Sequence, residues 1–348
     1  MWLRRRLTTH STRPSPARLS SLKLRGFWYV VAVALASGGL IRALGFFLES
    51  KIMASGKPTN EEIVEAIQAS GYLMEQEVAT VLESIGFHVE TNRAFEDVEE
   101  SKSREIDVWA FRNDYRNEET KFRLDIELIC ECKNNANPFV FITRPKNERD
   151  KTQFAPREYL FPVQTFEKTL EVSPDGKRRS YTMIPAFQYL GLAEHHHYYK
   201  QDSKAVQFCK IVRSGKSWEA NHGGIYDSIF YPLIKAFVSR EQLLKSLRKK
   251  EPTLDTWKHI TLFFPIIVLY GDMYSVDSLS DNPEPVSISN IAFTRELKSK
   301  VVEGKFVVDF VRMDSLKLFI ETQIAPFVRH IIEKLEQNPN LFMTKIVE

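Results

Sequence analysis

The stretch Arg104–Lys133, REIDVWAFRNDYRNEETKFRLDIELICECK, decides how the rest of the chain is read. Two runs within it alternate at the period of a β-strand. In Glu105–Phe111, Glu105, Asp107 and Trp109 point one way and Ile106, Val108 and Ala110 the other. In Phe122–Lys133 the even positions Leu124, Ile126, Leu128, Cys130 and Cys132 form an apolar face. The odd positions Asp125, Glu127, Ile129, Glu131 and Lys133 are mostly charged. Arg112–Lys121 has no apolar period and reads as a hairpin connection. Antiparallel pairing of the two strands would place Asp107 in one patch with Glu131 and Lys133.

Two carboxylates and an amine in one patch are a chemical combination. Carboxylate oxygens suit a hard cation such as Mg²⁺ (or Mn²⁺), and such an ion activates water and neutralises phosphodiester charge. A lysine two residues beyond a metal-binding carboxylate projects from the same strand face, where it can orient the water or meet phosphate charge. The pattern Asp107 followed by Glu131-Cys132-Lys133 resembles the D…ExK signature of the PD-(D/E)XK, or restriction-endonuclease-like, nucleases. Ile106 stands where that family usually has proline.

Upstream, Leu73–Ile85 reads as a helix with Met74, Val78, Val81, Leu82 and Ile85 on one stripe. At about 100° per residue Glu75 lies beside Leu82 on one border and Glu77 beside Val81 on the other. Gly86 stops this helix and FHVETNRAF begins an extended stretch. The segment Glu75–Phe87, EQEVATVLESIGF, is similar to the FE-x-x-VA-x-LL-x-x-LG-[YF] helix of Mrr-like restriction endonucleases. Met74 replaces the usual Phe, and the acidic, serine-rich Glu96–Arg104 replaces a Gly-rich segment. Over residues 73–142 the resemblance implies an α/β fold with an αβββαβ core, a central mixed sheet flanked by helices. It implies Mg²⁺-dependent hydrolysis of DNA phosphodiester bonds. Asp107, Glu131 and Glu75 would hold the metal and Lys133 would act on the water. DNA is the expected partner, and a homodimer is compatible with it.

Charge is unevenly spread. The total is +3, yet residues 1–52 carry nine Lys or Arg against Glu49 alone, so the remainder is net negative. Nucleic-acid contact must therefore come from local patches. Residues 26–48 are apolar apart from Arg42, enough to cross a bilayer and anchor a single-pass membrane protein. A second reading takes Met53-Ala54-Ser55-Gly56-Lys57 as the natural start of a cytoplasmic protein. Three cysteines make no disulfide framework, and Cys130 and Cys132 read as small buried residues.

The core is expected over 53–166, with 167–348 extending its sheet or forming a partner α/β domain. After NNANP, Phe139–Thr143 reads as a further core strand. The following basic loop supplies Lys146, Arg149 and Lys151, with Arg157, as phosphate contacts. Consecutive His195-His196-His197 cannot all face one ion, and Tyr198 or Tyr199 could stack on substrate. A helix over Tyr226–Leu247 is expected, then a buried strand Ile260–Tyr270 broken at Pro265, strands Ile288–Phe293 and Lys305–Val311, and a helix Leu316–Leu335 bent at Pro326. Walker, G-x-G-x-x-G and G-x-S-x-G motifs are absent from the sequence. Two other classes compete with the nuclease: a nuclease-fold module that binds without cutting, and a membrane-tethered interaction protein.

Overall fold

The computed structural model describes residues 57–152, 157–172, 174–176, 178–248, 256–343 and 346–347. The basic leader, the apolar segment 26–48, Met53 and Lys177 lie outside them. The chain divides into a unit ending at Ile63 and a second unit from Val64 to Glu348. What is described of the first is a helix start. Thr59 Oγ1 accepts from the Glu62 amide, and the Thr59 amide donates to Glu62 Oε2, at 3.2 and 2.8 Å. This capping box opens helix α1 (Asn60–Ser70).

The second unit is mixed α/β, built on one large mixed sheet flanked by helices. Gly71, at φ +88°, breaks α1 from helix α2 (Tyr72–Ser84). The next three strands form an antiparallel meander: β1 (His88–Glu96), β2 (Ser103–Asn117) and β3 (Phe122–Lys133). β2 is longer than its apolar run. The polar stretch expected as a connection continues the ladder to Asn117 across a bulge at Asn113/Tyr115, and Lys121 turns the chain at φ +57°. Ion pairs Arg112–Asp114 and Arg116–Glu118 line this extension.

The meander is closed from far along the chain. Helix α3 (Tyr231–Leu247) leads to β10 (Lys258–Leu269), which runs parallel to β3 over its whole length. The intervening strands are β4 (Phe139–Pro145), β5 (Tyr159–Leu160), β6 (Thr165–Val172), β7 (Arg178–Pro185), β8 (Ser203–Ser214) and β9 (Ser217–Asn221). After β10 come β11 (Met273–Asp277), β12 (Val286–Ser287), β13 (Asn290–Lys298) and β14 (Glu303–Arg312). The sheet order is β1-β2-β3-β10-β14-β13-β8-β4-β11-β12, with β5 on β10 and β9 on β8. β6 and β7 form a separate small sheet with Ile346–Val347. The expected boundary at residue 166 falls inside β6, and the C-terminal half supplies strands to the same sheet. Of the two expectations for residues 167–348, a sheet extension or a partner domain, the strands β8 to β14 take the first course.

The sheet is strongly curled. Flat, β14 and β4 would stand about 14 Å apart, three strand spacings. Yet the Phe141 and Phe310 ring centroids are 4.9 Å apart, and Phe208 touches both. The concave face holds Phe139, Phe141, Phe208, Phe293 and Phe310 and is covered by α3 through Leu233, Ile234 and Phe237. The other face packs Met74, Val78 and Leu82 of α2 against Val108, Leu124 and Leu128. Helical residues 316–337 join it, ending in helix α4 (Ala325–Gln337), through Phe319, Phe327 and Ile331. Where a bend at Pro326 is expected, a π-turn at Ile320–Ile324 lies just ahead of that residue, which has no amide proton to continue the ladder.

β10 is unbroken at Pro265. The Phe263 amide donates to the Glu158 carbonyl on the β5 side, so the missing amide of residue 265 faces that same side. There β5 pairs only Thr261 and Leu262 and β14 begins at Ile266, so the absent donor falls in the gap between them.

Candidate active site

The site forms where β2 and β3 part. Their pairing ends at Val108 opposite Cys130. On the other side of β2 the ladder to β1 pairs Thr91 with Val108 and Arg93 with Ile106, and passes over Asp107, where Asn92 adopts φ +53°. Ile106 and Trp109 accordingly pack on the concave face while Val108 packs on the other. At this irregularity the Asp107 carboxylate takes the place of a backbone acceptor: the Cys132 amide donates to Asp107 Oδ2 at 2.7 Å. Two residues along β3, the Lys133 ammonium donates to Glu131 Oε1 at 2.5 Å. Glu75, in the first turn of α2, is buried and turns toward Asn92.

The four expected residues lie within one another's electrostatic reach, and their charges act on one another. Burial first, then the charge of Asp107, raises the Glu131 carboxyl to about 7 against the opposing pull of Lys133. Glu75 is raised by burial and then by Asp107. Asp107 is raised by burial despite the Cys132 amide and Lys133. Burial pulls the Lys133 ammonium down, but Glu131 and Asp107 outweigh it and hold its proton more tightly. Cys130 and Cys132 have thiols raised first by burial, as small core residues would.

The donor set is entirely carboxylate, as a hard cation requires. Glu75 Oε2 is buried with no hydrogen-bond partner, an orphaned acceptor beside two more acids. Burial raises all three carboxyls, and Asp107 raises Glu75 and Glu131 further; a divalent ion would offset both effects by favouring the charged forms. The residues fit Mg²⁺ in that sense. Among the described residues no three Asp, Glu, His or Cys side chains are gathered closely enough to form a ready metal group. Asp107 and Glu131 each spend one oxygen on the chain's own donors.

The surroundings add residues the sequence did not single out. Tyr270 donates its amide to the Lys133 carbonyl at 3.2 Å and its hydroxyl to Glu77. Together with Leu73 and Asn134 these line a cleft of about 250 Å³ at the head of α2. A roomier cleft of about 560 Å³ lies between the β1–β2 pair and α3. There Arg93 stacks at 3.8 Å on Trp109, whose indole donates to Glu127 at 2.9 Å, and Arg240 holds Glu127 with two bonds of 2.8 Å. It adjoins β2 but not the carboxylates. Lys210 on β8 is the second amine near Lys133: burial lowers its ammonium, and the Lys133 charge lowers it further. Its separation of 77 positions from Lys133 left no local signal.

The expected phosphate contacts are elsewhere. β4 starts near the site at Phe139 and carries the chain about 20 Å away by Pro145, at roughly 3.3 Å per residue. Lys146 is buried there. Its ammonium donates to the carbonyls of Tyr198 and Gln201, and burial lowers it to about 8. It anchors a loop and is not free for a phosphate, which corrects the expectation for this residue. Arg149 and Lys151 are exposed on the one-turn helix that follows, at the same remote end. Arg157 pairs with Glu241 at 2.7 Å.

His196 and His197 are core, and His195 is half-buried. His196 Nδ1 accepts from the Tyr198 amide at 3.1 Å, so Nε2 carries the ring proton and donates to the Tyr159 hydroxyl at 2.5 Å. His197 Nε2 meets Asp309 Oδ1 at 2.8 Å with both side chains buried. Tyr198 is buried as well, so substrate stacking on it is excluded.

No family model, no curated protein and no solved structure matches this chain.

Proposed function

We propose that this chain is a metal-dependent nuclease that hydrolyses DNA phosphodiester bonds, on a restriction-endonuclease-like core made of α2, β1–β3, α3 and β10. The observation that carries the reading is the convergence of Glu75, Asp107, Glu131 and Lys133 at the splayed end of β2 and β3. The element order supports it once the strands β4 to β9 are read as an insertion: a helix, a three-stranded antiparallel meander, then a helix and a strand parallel to the third. Asp107 and Glu131, with Glu75 behind them, would hold Mg²⁺ (or Mn²⁺). Bound there, the ion would acidify a water and neutralise charge on the scissile phosphate.

The chain's own groups divide the remaining work. Lys133 keeps its proton under the influence of two carboxylates, so it serves as a cation and not as the base. It would orient the attacking water and stabilise charge on the non-bridging phosphate oxygens. The Cys132 amide holds Asp107 by Oδ2 alone, which would leave Oδ1 for the metal.

The test is incubation of the protein with plasmid, linear duplex and single-stranded DNA, with and without Mg²⁺. Cleavage that requires the ion, and that falls by about 10²-fold or more in Asp107→Ala and Lys133→Ala with unfolding midpoints retained, is expected. Equal rates in those variants and the parent would remove their roles. A second reading, a nuclease-fold module that binds nucleic acid without cutting, draws on one observation: Asp107 and Glu131 are already engaged by Cys132 and Lys133. Tight DNA binding with no Mg²⁺ uptake and no cleavage would favour it. The described residues contain no helix long and apolar enough to cross a membrane.

A further inference from the structure

We infer that the β8–β9 hairpin is a nucleic-acid-gripping arm that leads a polynucleotide into the carboxylate site. This rests on the nuclease reading for its purpose, but not for its evidence. From Cys209 to His222 the chain carries Lys210, Arg213 and Lys216 against the one carboxylate of Glu219. That local excess stands out in a chain whose residues beyond 52 are net negative. β9 pairs with β8 and with no other described strand, and all five of its residues are exposed. Its outer edge therefore offers unpaired backbone donors as well as side chains.

The hairpin is also aromatic where a base could lie. Trp218 is 63 % exposed, directly opposite Arg213, whose guanidinium sits 5.8 Å from the indole centroid. An indole left in water at the rim of a basic ribbon is a stacking platform, and the arginine beside it is a phosphate contact. Gly215, at φ +61°, makes the tight turn that presents Lys216 at the tip.

The base of the arm adjoins the site. Lys210 pairs across to Phe139, the first residue of β4, and its ammonium lies over that ring at 5.3 Å. It projects within the field of Lys133, has no ion pair among the described residues, and is half-buried. An unpaired, partly desolvated cation is costly unless an anion visits it. Arg213 and Trp218 project from one face of the ribbon and Lys210, three residues earlier on β8, from the other. A strand that crosses the β9 edge would therefore contact Lys216 and the Arg213–Trp218 pair on one face, then Lys210 on the other, and then place its next phosphate beside Lys133. The ligand is thus a chain of several phosphates carrying bases, not a single nucleotide.

The experiment measures binding of the full-length protein to fluorescein-labelled 20-nucleotide single strands and duplexes in EDTA, over a salt series, so that no cleavage intervenes. Relative to the parent, Arg213→Gln/Lys216→Gln should weaken binding about tenfold and make the log K against log salt slope shallower by roughly 1 to 2. Trp218→Ala should weaken single-strand binding about tenfold at unchanged slope, and oligonucleotide should quench parental Trp emission. All these positions are surface residues, and matching unfolding midpoints will show that the variants fold. Unchanged affinity and slope in both variants overturns the inference, as does absence of oligonucleotide binding by the parent. Binding to phosphatidylserine vesicles that the variants lose, with oligonucleotide binding unaffected, also overturns it. The two proposals separate cleanly. Hairpin-dependent binding without Mg²⁺-dependent cleavage sinks the nuclease and keeps the arm, and cleavage with hairpin-independent binding does the reverse.

Discussion

Replacing Glu158 by Gln isolates the energy of one buried charge. Glu158 precedes β5 and sits in the gap between β10 and β14, where its Oε1 accepts from the Val307 amide at 2.6 Å and its Oε2 has no partner. It is 2 % exposed, and burial raises its carboxyl from 4.5 to about 7, against the help of the Val307 amide and Arg157. The folded state therefore binds the proton more tightly than the unfolded chain does. Its stabilising effect is fully present below the unfolded value near 4.5 and is lost as pH rises through about 7. Between pH 5 and pH 8 that shift amounts to between about 2 and 3 kcal/mol of lost stability. Glutamine keeps the acceptor for Val307 but adds a buried amide whose donors cost about 1–3 kcal/mol at any pH. That cost cancels when each protein is compared with itself. Urea unfolding of both proteins at the two pH values should give a parent that loses the stated amount relative to the variant. Parallel pH dependence in parent and variant would refute the reasoning.

Asp97 is fully buried and takes bonds from Lys235, Arg104 and the Glu99 and Glu100 amides. Its carboxyl, which burial alone would raise, is held instead at about 2, with Lys235 the foremost of the groups that lower it. Asp97→Ala should cost about 3 kcal/mol in denaturant unfolding by leaving the buried Lys235 with Glu99 alone, at 3.3 Å. The parent should lose Asp97's contribution only as pH falls below about 4 toward 2; an unchanged midpoint in the variant would discount this pin between the β1–β2 turn and α3. Gly271 joins β10 to β11, and a methyl there would overlap the Asn135 carbonyl oxygen in the segment after Lys133. Gly271→Ala should lower both the unfolding midpoint and the proposed DNA cleavage, since it displaces the chain that carries Lys133; an unchanged midpoint would show that the segment yields freely.

The meander was legible because its signals are local. Alternation in Glu105–Phe111 and Phe122–Lys133, the Gly86 stop, and Glu75 at the border of an apolar stripe each depend on neighbours in sequence. They located α2, β2 and β3 and the four residues that meet at their ends. What closes the core is not local. The partner of β3 lies 136 positions further on when Lys133 is set against Leu269, and no pattern within either strand names the other. The helix and strand are expected from the sequence at nearly their observed bounds, but whether they extend the sheet or stand apart from it is not written in either segment. Lys146 misled for a related reason. A lysine in a polar loop looks solvated until the carbonyls of Tyr198 and Gln201, more than 50 positions away, are brought to it.

That distant closure bears on how the chain is made. β3 is a central strand, buried on nearly every residue from Phe122 to Glu131, and its second ladder exists only once β10 has left the ribosome. At 5–20 residues per second the wait is on the order of 10 s. During it a long, hydrophobic strand has one open side. The nascent protein must be shielded there, by its own intervening residues or by a chaperone, before the carboxylate cluster can take shape.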